Sequence, residues 1–345
     1  MFDRFWGNRH VTEALEQMLA QNRLAQTLLF AGPEGVGKAT LARRLAARLL
    51  GHPERIERDD LSLPENLATV ADREKLPAEK RNDDPLLFAS HPDFETYAPD
   101  GPLRQITIPQ TRLLKERSRF LPHKGSSRLF LIDHVDRANE QAANSLLKIL
   151  EEPPPHLILV LTAENPYDLL PTIRSRSVPF HFTPLSPDEM RSFAAWRGFD
   201  HAERRIALAA GSPGVSVTLD LEAYDRRRAA MLSLLTVAAG AAPFASWLAV
   251  SDDIGRAKSD KLELYLKVLY GLLRDLLLLG EGAQQIRNQD IRGELESLTR
   301  VVRFAWIRRA VERVDEIVEL LRRNIQKTIA LDALIVELRA AAPPA

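Results

Sequence analysis

The sequence has 345 residues, of which 45% are hydrophobic and 27% are charged, so we expect a soluble globular protein of two or three domains. Lys plus Arg and Asp plus Glu both number 47, which excludes a polybasic protein that coats nucleic acid. The chain has no Cys, which excludes disulfides, thiolate catalysis and thiolate zinc sites. Residues 1–6 lack the apolar core of a signal peptide, so a cytoplasmic protein is expected.

The first half of the chain alternates apolar strands with helical patterns, which is typical of a parallel α/β sheet with crossover helices. The predicted strands are Thr27–Ala31, Arg128–Asp133, Leu157–Thr162 and Val178–Phe182. The apolar spacing predicts helices over Leu41–Leu50 and Asn139–Glu152. Pro153–Pro155 must end the second helix, because proline donates no amide hydrogen and clashes with the preceding turn.

Residues 51–102 differ from their surroundings because they are charged and rich in proline. Most of this segment is predicted to be a surface insertion, with Asp93–Tyr97 as its only strand-like piece. His52 and His91 are isolated histidines without the spacing of metal ligands, so we expect both of them on the surface.

From Ser186 onward the pattern is all-helical. Ser186 and Glu189 form a predicted capping box, with Pro187 at the first helical position, and a second short helix is predicted over His201–Ala210. The uncharged segment from Met231 to Ser251 has nearly the length of a membrane span, which needs roughly 20 apolar residues. Because glycine and proline interrupt this segment, it predicts two helices buried in a bundle, and no membrane contact is expected.

Two apolar stripes at helical spacing indicate the core of a C-terminal helical bundle. Their members are Leu262, Tyr265, Leu266, Leu269, Leu272, Leu273 and Leu276 in one helix, and Ile307, Val311, Val314, Val318 and Leu321 in another. The chain as a whole is therefore predicted to contain an α/β domain over residues 1–183, a small helical domain over 184–220 and a larger helical domain over 221–345.

Residues 32–38, with the sequence GPEGVGK, follow a predicted strand and precede a predicted helix, which is the setting of a phosphate-binding loop. Gly32, Gly35 and Gly37 let backbone amides turn toward the phosphates, and the Lys38 ammonium meets their β and γ oxygens. These four residues are therefore candidate nucleotide-binding residues.

The set of residues that would support ATP hydrolysis around this loop is incomplete. A Ser or Thr hydroxyl normally follows the lysine and holds Mg²⁺, whereas this chain has Ala39, and Thr40 points roughly 100° further around the helix. Asp133 ends a predicted strand and is placed to hold a metal. An ATPase of this class has a Glu at the next position to orient the attacking water, but here it is His134, with Asp136 as a conceivable replacement. Thr40 and Asp133 complete the candidate nucleotide site, in which hydrolysis is doubtful.

Three further segments carry a resemblance to a known family. They are Asn144–Pro154 (NSLLKILEEPP), Leu157–Thr162 (LILVLT) and Leu170–Ser177 (LPTIRSRS). Together with the phosphate loop and His91–Phe94, they resemble the AAA+ subunits of the bacterial clamp loader, and most of all the delta-prime type of DNA polymerase III subunit. The similarity is dense in motifs over about residues 20–215 and is only architectural beyond them.

The resemblance implies an AAA+ P-loop domain with a parallel sheet over residues 1–183, a helical lid over 184–220 and a helical collar over 221–345. It also implies a hetero-pentamer with gamma/tau and delta subunits, part of the DNA polymerase III holoenzyme, which loads the sliding clamp on primed DNA in DNA replication. ATP lies at the subunit interfaces of this ring, and the ATPase activity resides mainly in the partner subunits.

In this family an arginine of one subunit reaches the ATP of its neighbour. The matching position is Arg176 in the segment Ser175–Ser177, and Arg174 is the second choice. An arginine that neutralises charge on the transferred phosphoryl group accelerates hydrolysis by roughly 10³–10⁵-fold. Arg176 is therefore the candidate catalytic residue, acting in trans as an arginine finger.

Two further departures from the family pattern follow, and only the first of them bears on this chain's own activity. Hydrolysing relatives carry a lid arginine at the position of Gly214, and relatives commonly carry a four-cysteine zinc module where residues 51–85 lie, so no zinc is expected. Together with Ala39 and His134, Gly214 favours a non-hydrolysing subunit that donates Arg176 in trans.

Two other readings stay open. The alternative function is an ATP-hydrolysing motor subunit of the same type of loader, which would use Lys38 and Asp133 with either His134 or Asp136. Binding of ATP or ADP without turnover lies between the two hypotheses and is slightly favoured, because the loop glycines and Lys38 remain while Mg²⁺ has little support.

Overall fold

The computed structural model describes residues 2, 4–257, 260–320 and 325–341 of the chain. It divides into two compact units. The first unit comprises Met1–Ala202 and Gly211–Thr218, and the second comprises Glu203–Ala210 and Leu219–Ala345. The three-part division of the chain at residues 183 and 220 stays a prediction.

Within the described residues, a six-stranded sheet forms the centre of the first unit. Its strands are β1 (Thr27–Ala31), β2 (Phe88–His91), β3 (Phe94–Tyr97), β4 (Arg128–Ile132), β5 (Leu157–Ala163) and β6 (Val178–His181). The spatial order is β2-β3-β4-β5-β1-β6, and every neighbouring pair is parallel except β2 with β3. The predicted α/β class with a parallel sheet is confirmed, and the four strands predicted in β1, β4, β5 and β6 agree to within one residue.

Helices make up most of the remaining regular structure of the described residues. In chain order they are α1 (Arg9–Ala20), α2 (Lys38–Leu50), α3 (Pro53–Ile56), α4 (Pro64–Lys75), α5 (Ala78–Asp83), α6 (Ile108–Arg117), α7 (Glu140–Glu151), α8 (Pro171–Arg174), α9 (Pro187–Arg197), α10 (Ala202–Ala209), α11 (Pro213–Thr218), α12 (Leu221–Ala238), α13 (Ala245–Arg256), α14 (Leu262–Gly280), α15 (Arg292–Thr299), α16 (Phe304–Leu320) and α17 (Lys327–Ala340). The predicted capping box of α9 is present, because Ser186 and Glu189 each hydrogen-bond the other's backbone amide.

Alternate residues of each central strand point to opposite faces of the sheet, so the first unit has two apolar layers. Leu28 and Phe30 of β1 pack with α1 and α2 in one layer. Leu29, between them, packs with α6 and α7 in the other layer. Because both faces are covered, β1, β4 and β5 are apolar along nearly their whole length, which is why these strands were readable from the sequence.

The insertion over residues 51–102 is more ordered than the sequence indicates. It contains α3, α4 and α5, and it contributes β2 as well as β3 to the sheet edge, so the expectation of a single strand-like piece is wrong. His91 is also not on the surface, since only 4% of it is exposed. Its Nδ1 accepts a hydrogen bond from the amide of Asp93 at 3.1 Å, within the turn between β2 and β3. His52 is exposed as expected.

Ion pairs connect this insertion to the rest of the first unit. Arg43 of α2 is buried and lies 2.8 Å from Glu57 and 2.5 Å from Asp60. Within the insertion itself, Arg73 of α4 forms a buried ion pair with Asp100 at 2.7 Å. Among the described residues, no group of three or more His, Asp or Glu side chains is arranged to hold a metal ion.

The second unit is a helical bundle whose core is formed by α12 to α17. The predicted pair of buried helices is present as α12 and α13, and Trp247 of α13 is fully buried. All seven members of the first predicted stripe are buried on α14. In the second stripe Val318 is 40% exposed, and Leu321 lies outside the described residues. No described helix is both long and apolar enough to cross a membrane.

Two arginines of α12 anchor later parts of the second unit. Arg227 lies 2.9 Å from Asp260, which precedes α14. Arg228 donates to both carboxylate oxygens of Asp290, at 2.7 and 2.6 Å. Such two-pronged guanidinium–carboxylate contacts fix geometry more firmly than a single hydrogen bond, so they hold the loops around α14 in place.

Candidate functional site

The candidate nucleotide residues lie at the carboxyl ends of three parallel strands. The phosphate loop follows β1, Asp133 follows β4, and Thr162 and Glu164 lie at the end of β5. β1 lies between β5 and β6 in the sheet, so the helical connections on its two sides diverge there. Ligands of open α/β sheets bind in the crevice at such a point.

Lys38 is the first residue of α2 and is only 6% exposed. Its ammonium donates hydrogen bonds to the carbonyl oxygens of Gly32 at 2.5 Å and Pro33 at 2.8 Å. Gly37, which precedes it, has a φ of +100°, and a Cβ there would lie 2.9 Å from the Phe5 ring. The loop therefore requires glycine at this position, and it brings Lys38 back over its own backbone.

The charges around Lys38 are mostly negative. Burial lowers the pKa of the Lys38 ammonium below its usual value, and the carboxylates of Asp133, Glu164 and Asp136 oppose that shift. The Lys38 side chain therefore lies near a group of acidic side chains at the end of the sheet. Glu164 was missed in the sequence analysis. Its position directly after a buried strand was the signal that could have found it.

Asp133 is held by a hydroxyl rather than left free at the strand end. The Thr162 hydroxyl donates to Asp133 Oδ1 at 2.5 Å and accepts from the His134 amide at 2.8 Å. His134 has a left-handed backbone with φ +52°, and its Nδ1 lies 3.8 Å from Glu164 Oε1. Thr162 thus joins β4 to β5, and His134 occupies the place next to Asp133 without a direct hydrogen bond from Nδ1.

Gly214 of α11 packs directly on the phosphate loop. Its amide donates to the Gly35 carbonyl at 2.8 Å. A Cβ at position 214 would lie 3.0 Å from both the Cα and the carbonyl oxygen of Gly35. The side chain that is missing here therefore permits a backbone-to-backbone contact that closes one side of the loop.

The loop borders a cleft of about 340 Å³ within the first unit. The cleft brings together Gly35, Gly37, Lys38, Thr40 and Asp133, while Gly32 contributes the carbonyl that Lys38 contacts. Aromatic side chains missed in the sequence also line this cleft, namely Phe5, Trp6, Phe193 and Trp196. Trp6 lies 6.1 Å from Phe193 and 6.3 Å from Trp196, measured between ring centroids. The pair Phe5-Trp6 near the N-terminus was the available signal for this aromatic lining.

Arg176 lies between α8 and β6, and its side chain is 33% exposed. Its Nη2 is 2.8 Å from Glu151 Oε1, and its Nη1 donates to the Thr172 carbonyl at 3.0 Å. Arg174 is held differently, since its guanidinium lies 5.2 Å from the centre of the Tyr167 ring. Of the two candidate arginines, Arg176 has the more polar surroundings and a carboxylate partner.

Comparison with known proteins gives a family match over the first unit. The profile of a family described as DNA polymerase III, delta subunit, matches residues 7–186. The delta-prime subunit of Bacillus subtilis is 32% identical over 51% of this chain and 48% of its own length. The delta-prime subunit of Pseudomonas aeruginosa is 28% identical over 66% of each chain.

Two further similar proteins match this chain over very different shares of their own length. The gamma/tau subunit of Mycobacterium tuberculosis H37Rv is 32% identical over 55% of this chain, which spans only 30% of that relative. A solved structure of a DNA polymerase III gamma subunit-related protein from Thermotoga maritima is 17% identical, with a TM-score of 0.44 over 95% of this chain and 98% of that one. This chain therefore spans less than half of the gamma/tau and Bacillus relatives.

The matched region contains the sheet, the phosphate loop, Asp133 and the Arg176 segment, and it covers more than half of the 345 residues. The predicted resemblance is thereby confirmed. The chain belongs to the family described as DNA polymerase III, delta subunit, and is a delta-prime-like AAA+ subunit of the clamp-loader type.

Proposed function

We propose that this chain is the delta-prime-like member of a DNA polymerase III clamp loader, which loads the sliding clamp on primed DNA. Its partners in this proposal are gamma/tau and delta subunits in a hetero-pentamer, and the assembly works in the cytoplasm. Family membership and the named delta-prime relatives support this proposal. Residues 1–183 would form the AAA+ domain, 184–220 the lid and 221–345 the collar that holds the ring together.

We further propose that the chain does not hydrolyse ATP itself. The observation that carries this proposal is the Gly214 amide on the Gly35 carbonyl at 2.8 Å, at the position where the family resemblance implies an arginine. Ala39 offers no oxygen for Mg²⁺, and His134 replaces the water-orienting carboxylate. The chain therefore lacks three groups that a motor subunit of this kind uses.

Arg176 is the residue that would act, in the ATP site of a neighbouring subunit. Its guanidinium is partly exposed and carries a fixed positive charge, because arginine stays protonated in proteins. An arginine that reaches a γ-phosphate from the next subunit stabilises the charge of the transition state and is worth roughly 10³–10⁵ in rate. This chain would then act catalytically only in the assembled ring.

The chain's own loop would hold ATP or ADP without turnover, through backbone amides at Gly35 and Gly37 and the ammonium of Lys38. Thr40 and Asp133 are the only oxygen-bearing candidates for Mg²⁺ in this proposal, and no zinc is involved. The cleft wall formed by Trp6 and Trp196 supports a fluorescence test. We expect ATP and ADP to change the tryptophan emission of the isolated chain, with a much smaller change in Lys38→Ala and in Trp6→Phe. Equal emission with and without millimolar nucleotide would reject binding.

ATP turnover by the reconstituted loader, with clamp and primed DNA, tests the trans-acting role. We expect Arg176→Ala in this chain to lower turnover strongly, because a neighbouring site loses its arginine, and Lys38→Ala to have little effect. Arg23→Ala is the matched control, since Arg23 is an exposed arginine of the same unit. Each variant must also co-elute with the partner subunits.

The motor-subunit alternative predicts the reverse outcome. Asp133 and Glu164 near Lys38 favour this second candidate, because they supply carboxylates at the end of the sheet where a metal and a water would lie. If Lys38→Ala removes turnover and Arg176→Ala does not, the chain is itself a motor, and the proposed non-hydrolysing role is wrong.

A further inference from the structure

The guanidinium of Arg176 is held at three points by its own subunit. Nη2 lies 2.8 Å from Glu151 Oε1, while Nη1 donates to the Thr172 carbonyl at 3.0 Å and to the Ser175 hydroxyl at 3.4 Å. The Thr172 carbonyl and the Ser175 hydroxyl belong to the same short segment as Arg176. Glu151 is the only one of the three partners that comes from a different element.

Glu151 is the last residue of α7, and the core fixes its position. The side chains of Leu146, Ile149 and Leu150 are buried against the sheet. Asn139 caps the start of the helix, because its side-chain oxygen accepts a hydrogen bond from the Ala142 amide, and the helix ends just before a run of prolines. A carboxylate at the end of such a helix is a rigid reference point for a side chain on a neighbouring loop.

We propose that Glu151 is a positioning residue, which holds the Arg176 guanidinium in the orientation needed to reach a phosphate of the neighbouring subunit. This inference rests on the trans-acting role of Arg176 proposed above. A guanidinium has five N–H donors, so the contacts with Glu151, Thr172 and Ser175 leave donors for a phosphate oxygen. The carboxylate therefore orients Arg176 without using up its capacity to bind.

Stability does not account for this ion pair. The Arg176 side chain is 33% exposed and the Glu151 side chain 48%, and pairs this open to water contribute little to folding. A long arginine side chain without such a partner samples many rotamers, and ordering it in the transition state costs entropy. Fixing the guanidinium beforehand removes that cost from the reaction step. Arg174, which packs on Tyr167, lacks this carboxylate partner.

A double-substitution cycle in the assembled loader tests the positioning role. The measured quantity is the Arg176-dependent turnover, defined as kcat of the wild-type assembly minus kcat of the Arg176→Ala assembly. We expect Glu151→Ala to lower this quantity about tenfold, because a misplaced catalytic group loses rate steeply with distance. In the Arg176→Ala background, the same substitution is expected to have no further effect. A merely structural role would lower turnover in both backgrounds.

The matched control is Glu152→Ala, since Glu152 is the adjacent exposed glutamate and lies outside the contacts of Arg176. Its kcat is expected to equal that of the wild type. If Glu151→Ala behaves like Glu152→Ala, or lowers turnover equally with and without Arg176, the positioning role is wrong while the trans-acting role stands. If Arg176→Ala alone leaves turnover unchanged, the proposed function itself fails, and the positioning role falls with it. Should the alanine variant not assemble, Glu151→Gln serves in the same cycle and is expected to give a smaller loss that is again absent without Arg176.

Discussion

A fully buried carboxylate, Glu95 of β3, organises charged side chains inside the first unit. It accepts a hydrogen bond from Arg128 at 2.6 Å and another from the Tyr97 hydroxyl at 2.6 Å, while Arg117 of α6 lies 2.8 Å away. Burial, followed by the nearby negative charge of Glu95, raises the pKa of the Tyr97 hydroxyl, which favours its neutral form as a hydrogen-bond donor to Glu95. Together these partners compensate a charge that would be costly to bury alone.

Arg128 provides a prediction at this scale. Its side chain is 4% exposed, so Arg128→Met would leave Glu95 buried with only part of its compensation. We expect the free energy of unfolding of the first unit to fall by about 3 kcal/mol, as measured by urea denaturation. Arg117→Met is the matched control, because its side chain is 36% exposed, and it is expected to cost about 1 kcal/mol or less. Equal losses in the two variants would contradict a role for burial.

At the scale of elements, the sequence predicted best those strands whose environment is simplest. β1, β4 and β5 are covered on both faces, so an unbroken apolar run identified each of them. Local signals also located the start of α9, since its capping box lies within four consecutive residues. Predictions of this kind succeed because the residues that decide the structure are close together in the chain.

The elements that were missed depend on partners far away in the sequence. β2 has only one buried residue, His91, and forms because β3 offers a free edge to pair with. The insertion helices are charged, and Arg43 of α2 holds the connection between α3 and α4 through Glu57 and Asp60. Neither the sheet edge nor that arginine's partners can be read from the local pattern of residues 51–102.

In the candidate site, too, the parts close together in the sequence were predicted and the parts far apart were missed. Residues 32–38 form one continuous motif, so the phosphate loop was predictable from its own residues. The wall formed by Trp6 and Trp196 was not, because these two residues meet across 190 positions of the chain. Thr162 was missed for a related reason, since its hydroxyl reaches Asp133 from the neighbouring strand.

At the scale of the whole molecule, the two units differ in their acidic groups. Among the described residues, the carboxyl groups that bind arginine and have a clearly lowered pKa lie in the second unit. The side-chain hydrogen bonds from Arg228 lower the pKa of Asp290, and those from Arg227 lower the pKa of Asp260. A carboxyl group of this kind stabilises the fold above its unfolded pKa of 3.8. That contribution is lost as the pH falls through the lower folded value. The second unit should therefore lose this stabilisation in acid.

Asp290→Asn isolates that contribution. We expect the variant to melt below the wild type at about pH 7 and the difference in Tm to shrink as the pH falls below 3.8, because the wild-type carboxylate then becomes protonated as well. Circular dichroism during thermal unfolding, at a series of pH values from about 7 to below 3.8, measures this difference in Tm. Asp252→Asn, at an exposed aspartate of α13, is the control and should match the wild type throughout. A difference in Tm that does not change with pH would contradict the prediction.

The glycine contact between α11 and the phosphate loop also limits which side chains position 214 can carry. A Cβ at position 214 would meet the Gly35 backbone at 3.0 Å, and backbone atoms of a tight loop cannot move aside as a flexible side chain would. A side chain at position 214 would therefore need α11 and the Gly35 backbone to move apart by a few tenths of an ångström. Backbone packing thus disfavours Gly214→Arg as a way of adding a cation beside the phosphate loop.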